Sequence, residues 1–178
     1  MTEKTDTALI LCAGYGSRLR PLTDKLPKPL LPVRGRPILF SILDKLRAAG
    51  IGRFFVNVHH KPEAFAEAFG LAADTFAGGA RTAQTQYCGC PLVLVYEPEI
   101  LETGGAVANL LAHMDKSAAL AVHNGDILFD ADPTEFLDRA AENLADPKCC
   151  ATLCLRSGGN LSNVGVDADG DVCDMRFT

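Results

Sequence analysis

Apolar positions along the chain fall into two alternating periods. Thr7 to Cys12 (TALILC) is a short, nearly continuous apolar run, the pattern of a strand buried on both faces. Pro37 to Ala49 then places Ile38, Leu39, Ile42, Leu43 and Leu46 on one side of a helix, with Pro37 suited to its first turn and Gly50 beyond its end. Arg53 to Val58 (RFFVNV) predicts a second strand, and Pro62 to Phe69 a helix with Phe65 and Phe69 on one side. Leu92 to Tyr96 predicts a third strand, Thr103 to Met114 a helix, and Ala118 to His123 a fourth strand. Asp132 caps a further helix, with Pro133 at its first position and Glu135 at its third. Cys150 to Leu155 predicts a fifth strand, and Val164 to Val172, centred on Asp169-Gly170, a hairpin. Phe69 to Gly89 is rich in Gly, Ala and Thr without a clear period, and reads as a mobile loop with at most a short helix.

Strands alternating with helices imply parallel crossovers and a sheet covered on both faces. In such sheets ligands bind beyond the carboxyl ends of the strands, so chemistry is expected just after Cys12, Val58, Tyr96 and His123. Those places hold the distinctive polar strings.

After the first strand comes Ala13-Gly14-Tyr15-Gly16-Ser17-Arg18-Leu19. Gly14 and Gly16 allow a tight turn whose amides face an anion, and Ser17 adds a hydroxyl donor. Arg18 supplies a planar cationic fork matched to phosphate oxygens. Lys28 follows between Pro27 and Pro29, which fix its backbone. Leu19 stands where a dinucleotide fingerprint needs its third glycine, and the G-K-[ST] of an ATPase phosphate loop is absent. At the fourth strand end, His123-Asn124-Gly125-Asp126 offers a carboxylate beside a glycine that clears space, which suits a Mg²⁺ ligand. Adjacent His59 and His60 point in opposite directions, so one is expected at the cleft edge and the other in a structural role; none of the four histidines is a candidate base.

Composition narrows the class. The 178 residues suffice for one well-buried domain, and 48% are hydrophobic. A net charge of −5 argues against a nucleic-acid partner, and no apolar run approaches the ~20 residues of a membrane helix. Met1 to Asp6 is polar and acidic, unlike a secretory signal. Seven cysteines without paired C-x-x-C spacing read as reduced, mostly buried thiols of a cytoplasmic protein.

The string LCAGYGSRLRPLTDKLPKPLLPV resembles the signature of the sugar-1-phosphate nucleotidyltransferases, L-A-A-G-x-G-[ST]-R-L-x-P-L-T followed by P-K-P, with Cys12 in place of alanine. Glu102-Thr103-Gly104-Gly105 is similar to the form found in N-acetylmuramate-1-phosphate uridylyltransferases and mannose-1-phosphate guanylyltransferases. The resemblance implies a three-layer α/β/α Rossmann-like fold with a mostly parallel sheet. It implies transfer of a nucleoside monophosphate from a nucleoside triphosphate, UTP or GTP, to a sugar 1-phosphate with release of pyrophosphate. Arg18, Lys28 and Asp126 would be catalytic, with Asp126 on Mg²⁺. Leu11, Ala13, Gly14, Gly16 and Ser17 would contact the nucleotide, as would Asn124, Thr103 and Gly104. Glu97 lies where some relatives carry a base-reading glutamine. An oligomer is left open. The family also supplies a second metal aspartate from a segment beyond Phe177-Thr178, so residues 1–178 are expected to form a single domain cut short at its C-terminal side. The alternative is a nucleotide-binding module without turnover.

Overall fold

The computed structural model describes residues 5–114, 119–155 and 164–175. In chain order the elements are β1 (Thr7–Leu11), β2 (Pro32–Val33), β3 (Arg36–Pro37), α1 (Ile38–Ala48), β4 (Arg53–Val58), α2 (Pro62–Ala68), β5 (Thr82–Tyr87), β6 (Cys90–Tyr96), α3 (Glu102–Leu110), β7 (Leu120–Asn124), α4 (Pro133–Asn143), β8 (Val164–Val166) and β9 (Val172–Met175). The main sheet has the order β5-β6-β4-β1-β7. β6, β4, β1 and β7 run parallel, and β5 joins the edge antiparallel to β6.

Alternation along β1 explains the layers. Ala8, Ile10 and Cys12 face one side, where they pack with Phe54, Val56, Leu92 and Leu94 under Leu39, Ile42 and Leu43 of α1, Phe65 of α2 and Leu137 of α4. Leu9 faces the other side and joins Phe55 and Val95 under Ala106 and Leu110 of α3. The arrangement is therefore α/β/α, as expected from the alternating pattern. Among the described residues β7 forms one sheet edge, and Val122 is 44% exposed there.

Three sequence expectations need correction. Residues 82–87, inside the supposed loop, form β5: Ala83, Thr85 and Tyr87 turn inward while Thr82, Gln84 and Gln86 face out. Ala83 is small and Thr85 polar, leaving Tyr87 as the one large inward side chain, so the alternation carried little hydrophobic signal. A two-residue turn with positive φ at both Cys88 and Gly89 closes the hairpin onto β6. Cys150 to Leu155 is not a strand; it finds no ladder partner among the described residues, and Leu153 and Leu155 are about half exposed. The thiols are not mostly buried either. All seven are free, and only Cys12 is buried. The expected fourth strand begins at Leu120, Ala118 lying outside the described residues, and the helix starting near Thr103 ends at Leu110.

Asp132 caps α4 as expected: its Oδ1 accepts from the Thr134 amide at 2.8 Å. That bond holds its carboxyl below the ordinary range. A depressed folded-state pKa adds stability that is present above the unfolded carboxylate range and disappears as pH falls through the folded value. Asp132→Ala should therefore lower the unfolding midpoint at neutral pH, with the difference from wild type closing in strong acid. Thermal unfolding of both proteins as a function of pH checks this.

Candidate active site

Where β1 ends, the chain leaves the sheet and forms the glycine loop. Gly16 takes φ +64°, and a Cβ there would approach Thr23 Cγ2 to 2.8 Å. The buried Thr23 hydroxyl donates to Gly16 O at 3.0 Å, so the P-L-T string clamps the turn from below. Short 3-10 turns at Ser17–Leu19, Leu22–Asp24 and Lys28–Leu30 carry the loop round the end of the sheet. The last of them, seated on buried Pro29 and Leu30, presents Lys28.

Opposite, β7 pairs with β1 in parallel, Asn124 beside Leu11. Gly125 N donates to Leu11 O at 2.8 Å, and a Cβ on Gly125 would overlap Cys12 Sγ and lie 2.9 Å from Leu11 O. Only glycine lets the chain turn this close to β1, and the turn delivers Asp126. Lys28 Nζ donates to Asp126 Oδ2 at 2.6 Å, a pair joining residues 98 positions apart.

The result is a cleft of about 320 Å³ lined by Leu11, Cys12, Gly14, Gly16, Ser17, Arg18, Leu19, Lys28, Pro29, Asn124 and Asp126. That volume is at the low end for ligand pockets. Gly14 and Gly16 line the cleft together with residues that carry a guanidinium (Arg18), an ammonium (Lys28) and a carboxylate (Asp126).

Comparison with known proteins follows the same line. A family model described as nucleotidyl transferase matches residues 7–166. The chain belongs to the nucleotidyl transferase family. Mannose-1-phosphate guanylyltransferase of Mycobacterium tuberculosis is 38% identical over 145 residues, covering 82% of this chain and 36% of that protein. N-acetylmuramate alpha-1-phosphate uridylyltransferase of Neisseria meningitidis is 36% identical over 137 residues, covering 75% of this chain and 52% of that protein. The chain thus spans between about a third and a half of these relatives. Among solved structures, HddC from Yersinia pseudotuberculosis complexed with GMP-PN shares the fold at a TM-score of 0.64 and 19% identity, with 96% of this chain and 70% of that one covered.

Within this nucleotidyl transferase fold, not every residue singled out in the sequence lies in the cleft. Ala13 is buried under the loop. Thr103 and Gly104 are exposed in the first turn of α3 and do not line the cleft. Glu97 is only 1% exposed and also lies outside it. Both its carboxyl oxygens accept internal bonds: Oε1 from Asn57 Nδ2 at 2.8 Å, Oε2 from the Leu101 amide at 3.3 Å. Asn57 Oδ1 in turn accepts from Cys12 N at 2.7 Å. Asn57 was missed in the sequence, although a polar residue inside RFFVNV was a signal, since a buried amide needs partners.

His59, His60 and His123 make internal contacts. His59 Nδ1 lies 2.7 Å from the Glu97 carbonyl, which can only accept, so Nδ1 carries a proton. Its Nε2 lies 2.9 Å from the Tyr15 hydroxyl. His60 Nε2 lies 3.1 Å from Thr23 O. Neither ring lines the cleft. His123 packs on Phe129, centroids 4.9 Å apart, and burial pushes its pKa down. Burial first, and the Asp126 carboxylate second, push the pKa of the Cys12 thiol in the cleft lining well up.

Asp167, Asp169 and Asp171 shape the β8–β9 turn. Asp167 Oδ1 accepts from the amides of Asp169 and Asp171 at 3.0 and 2.9 Å. No group of three or more His, Cys, Asp or Glu side chains among the described residues is placed to hold a metal by itself. No helix among them is long and apolar enough to cross a membrane.

Proposed function

We propose that this chain supplies the nucleotide side of an enzyme that transfers a nucleoside monophosphate from a nucleoside triphosphate to a sugar 1-phosphate, releasing pyrophosphate and forming a nucleotide sugar. The supporting observation is the convergence of the Gly14–Gly16 loop, Arg18, Lys28 and Asp126 on one cleft at the carboxyl ends of β1 and β7. The names of the relatives support the substrate class, with UTP and GTP the leading donors. The chain spans about a third to a half of those relatives' length, so the activity of the whole enzyme is part of this proposal. Free thiols throughout are compatible with a cytoplasmic setting.

The chemistry is an in-line displacement in which a sugar-phosphate oxygen attacks the α-phosphorus. That nucleophile is already anionic, so no strong general base is needed. Catalysis rests on positioning and charge stabilisation. The amides of the glycine loop and Ser17 hold phosphate oxygens. Arg18 neutralises charge on the departing pyrophosphate. Lys28 contacts the α-phosphate or the sugar phosphate, and before ligand binding it neutralises Asp126.

The donor set fits Mg²⁺: one carboxylate at the cleft wall, with Asn124 adjacent, matches an ion usually held by one or two carboxylates plus substrate phosphates. When bound there, Mg²⁺ offsets phosphate charge and orients the triphosphate. Asp126 would hold it.

A thermal-shift screen of UTP, GTP, CTP and dTTP with Mg²⁺, followed by pyrophosphate release with a panel of sugar 1-phosphates, tests the reading. Stabilisation by one donor with pyrophosphate release is expected. Stabilisation without release by the full-length protein would leave only a nucleotide-binding module. Arg18→Ala removes charged hydrogen bonds of about 1.5–3 kcal/mol, so kcat/KM should fall roughly 10- to 100-fold. Because Arg18 is exposed, the unfolding midpoint should stay near wild type.

A further inference from the structure

The hydrogen bonds around Glu97 form a directed chain across three strand ends. β6, β4 and β1 are sheet neighbours, with Asn57 beside Leu11 and Val58 beside Tyr96. Cys12 is the first residue past β1, and its amide has a side-chain partner, Asn57 Oδ1. That amide can only donate, which fixes which end of Asn57 faces it. Asn57 Nδ2 must then donate to Glu97 Oε1, and Glu97 Oε2 accepts from the Leu101 amide. Donors meet acceptors at every junction. A second arm runs from the Glu97 carbonyl through His59 to the Tyr15 hydroxyl in the glycine loop.

One residue therefore ties the glycine loop, on the phosphate side, to the 97–101 turn that leads into α3 and its exposed Thr103 and Gly104. We propose that Glu97, acting through Asn57, is a positioning residue: it does not read the base, but sets the spacing between the phosphate-holding loop and the first turn of α3. The inference rests on the nucleotide reading given above. Glutamate is required rather than glutamine, because two donors converge on it. Glutamine in either flip sets one N–H against another N–H. Reversing the chain restores the pairing. With Asn57→Asp and Glu97→Gln together, the carboxylate introduced at position 57 would accept from Cys12 N and from the amide introduced at position 97, whose carbonyl would accept from Leu101 N. Formal charge is unchanged.

The experiment is calorimetric titration of wild type, Glu97→Gln and Asn57→Asp/Glu97→Gln with UTP, GTP and inorganic tripolyphosphate in Mg²⁺, with the unfolding midpoint of each protein recorded. Tripolyphosphate probes the glycine loop alone; the nucleotides engage both loops. In Glu97→Gln the affinity for the preferred nucleotide should fall at least about tenfold, while that for tripolyphosphate stays within about threefold. The swapped double variant should return nucleotide affinity to within about threefold of wild type. Glu97→Gln binding nucleotide like wild type, or losing both probes equally, overturns the positioning role while leaving the nucleotide reading in place. Wild type that binds neither probe removes the nucleotide reading and this inference with it. Should Glu97→Gln not fold, the double variant decides: folded with wild-type affinity supports the chain, and unfolded or folded with lost nucleotide affinity overturns it.

Discussion

Replacing Asp126 with alanine should lower pyrophosphate release by about 10²- to 10³-fold, the usual consequence of removing one preorganised charged contact from a reacting centre. Among the described residues its carboxylate is the only acid lining the cleft, which it shares with Gly14, Gly16, Ser17 and Arg18 of the glycine loop. Its removal deletes the proposed Mg²⁺ ligand and leaves Lys28 without the partner it has at 2.6 Å. Stability should change far less. The side chains of Lys28 and Asp126 are 27% and 34% exposed, and a pair so accessible to solvent contributes about 1 kcal/mol at most. Asp126→Asn, which keeps the shape and loses the charge, should show a similar loss of rate. Initial rates of pyrophosphate release, alongside thermal unfolding, separate the two effects. Near-normal turnover in either variant would remove Asp126 from the chemistry.

The second large effect is expected on stability, one residue earlier. Gly125→Ala puts a methyl group where Cys12 Sγ and Leu11 O already sit, against a floor formed by β1. Overpacking of this kind costs about 1–3 kcal/mol. For a protein of this size that corresponds to a fall in unfolding midpoint of about 2–12 °C. Adding Cys12→Ala to Gly125→Ala should recover part of the loss, because the sulfur is removed while Leu11 O remains 2.9 Å from the new Cβ. Recovery that is complete would mean that the backbone oxygen is not a constraint. No loss in Gly125→Ala alone would mean that the turn relaxes freely and glycine is not needed there.

These expectations show where sequence and structure divide the work. The glycine loop could be read directly, since Gly14, Gly16, Ser17 and Arg18 are neighbours in the chain and the conformation they need is local. Lys28 and Asp126 could be named from their strings, but their contact depends on β7 lying beside β1, which no local pattern specifies. Glu97 was legible as a strand-end acid, but its hydrogen-bond partners were not. Its direction is fixed by Asn57, 40 positions earlier, and by its burial. The same limit hid β5, whose inward Ala83 and Thr85 gain their place from pairing with β6 rather than from hydrophobicity. It also favoured a strand at 150–155, where apolar residues were present and a pairing partner among the described residues was not.

By itself, the order of residues determined the alternation of strand and helix, the amphipathic face of α1, the cap on α4 and the place of the glycine loop after β1. Each follows from interactions within a few residues, where spacing and turn chemistry are sufficient. Tertiary structure alone decided that Lys28 meets Asp126, that Gly125 must lack a side chain, and that Asn57 and Glu97 link two loops. The reason is physical. Hydrogen bonds and steric contacts between strand ends depend on which strands are adjacent, and adjacency is set by burying both faces of the sheet at once.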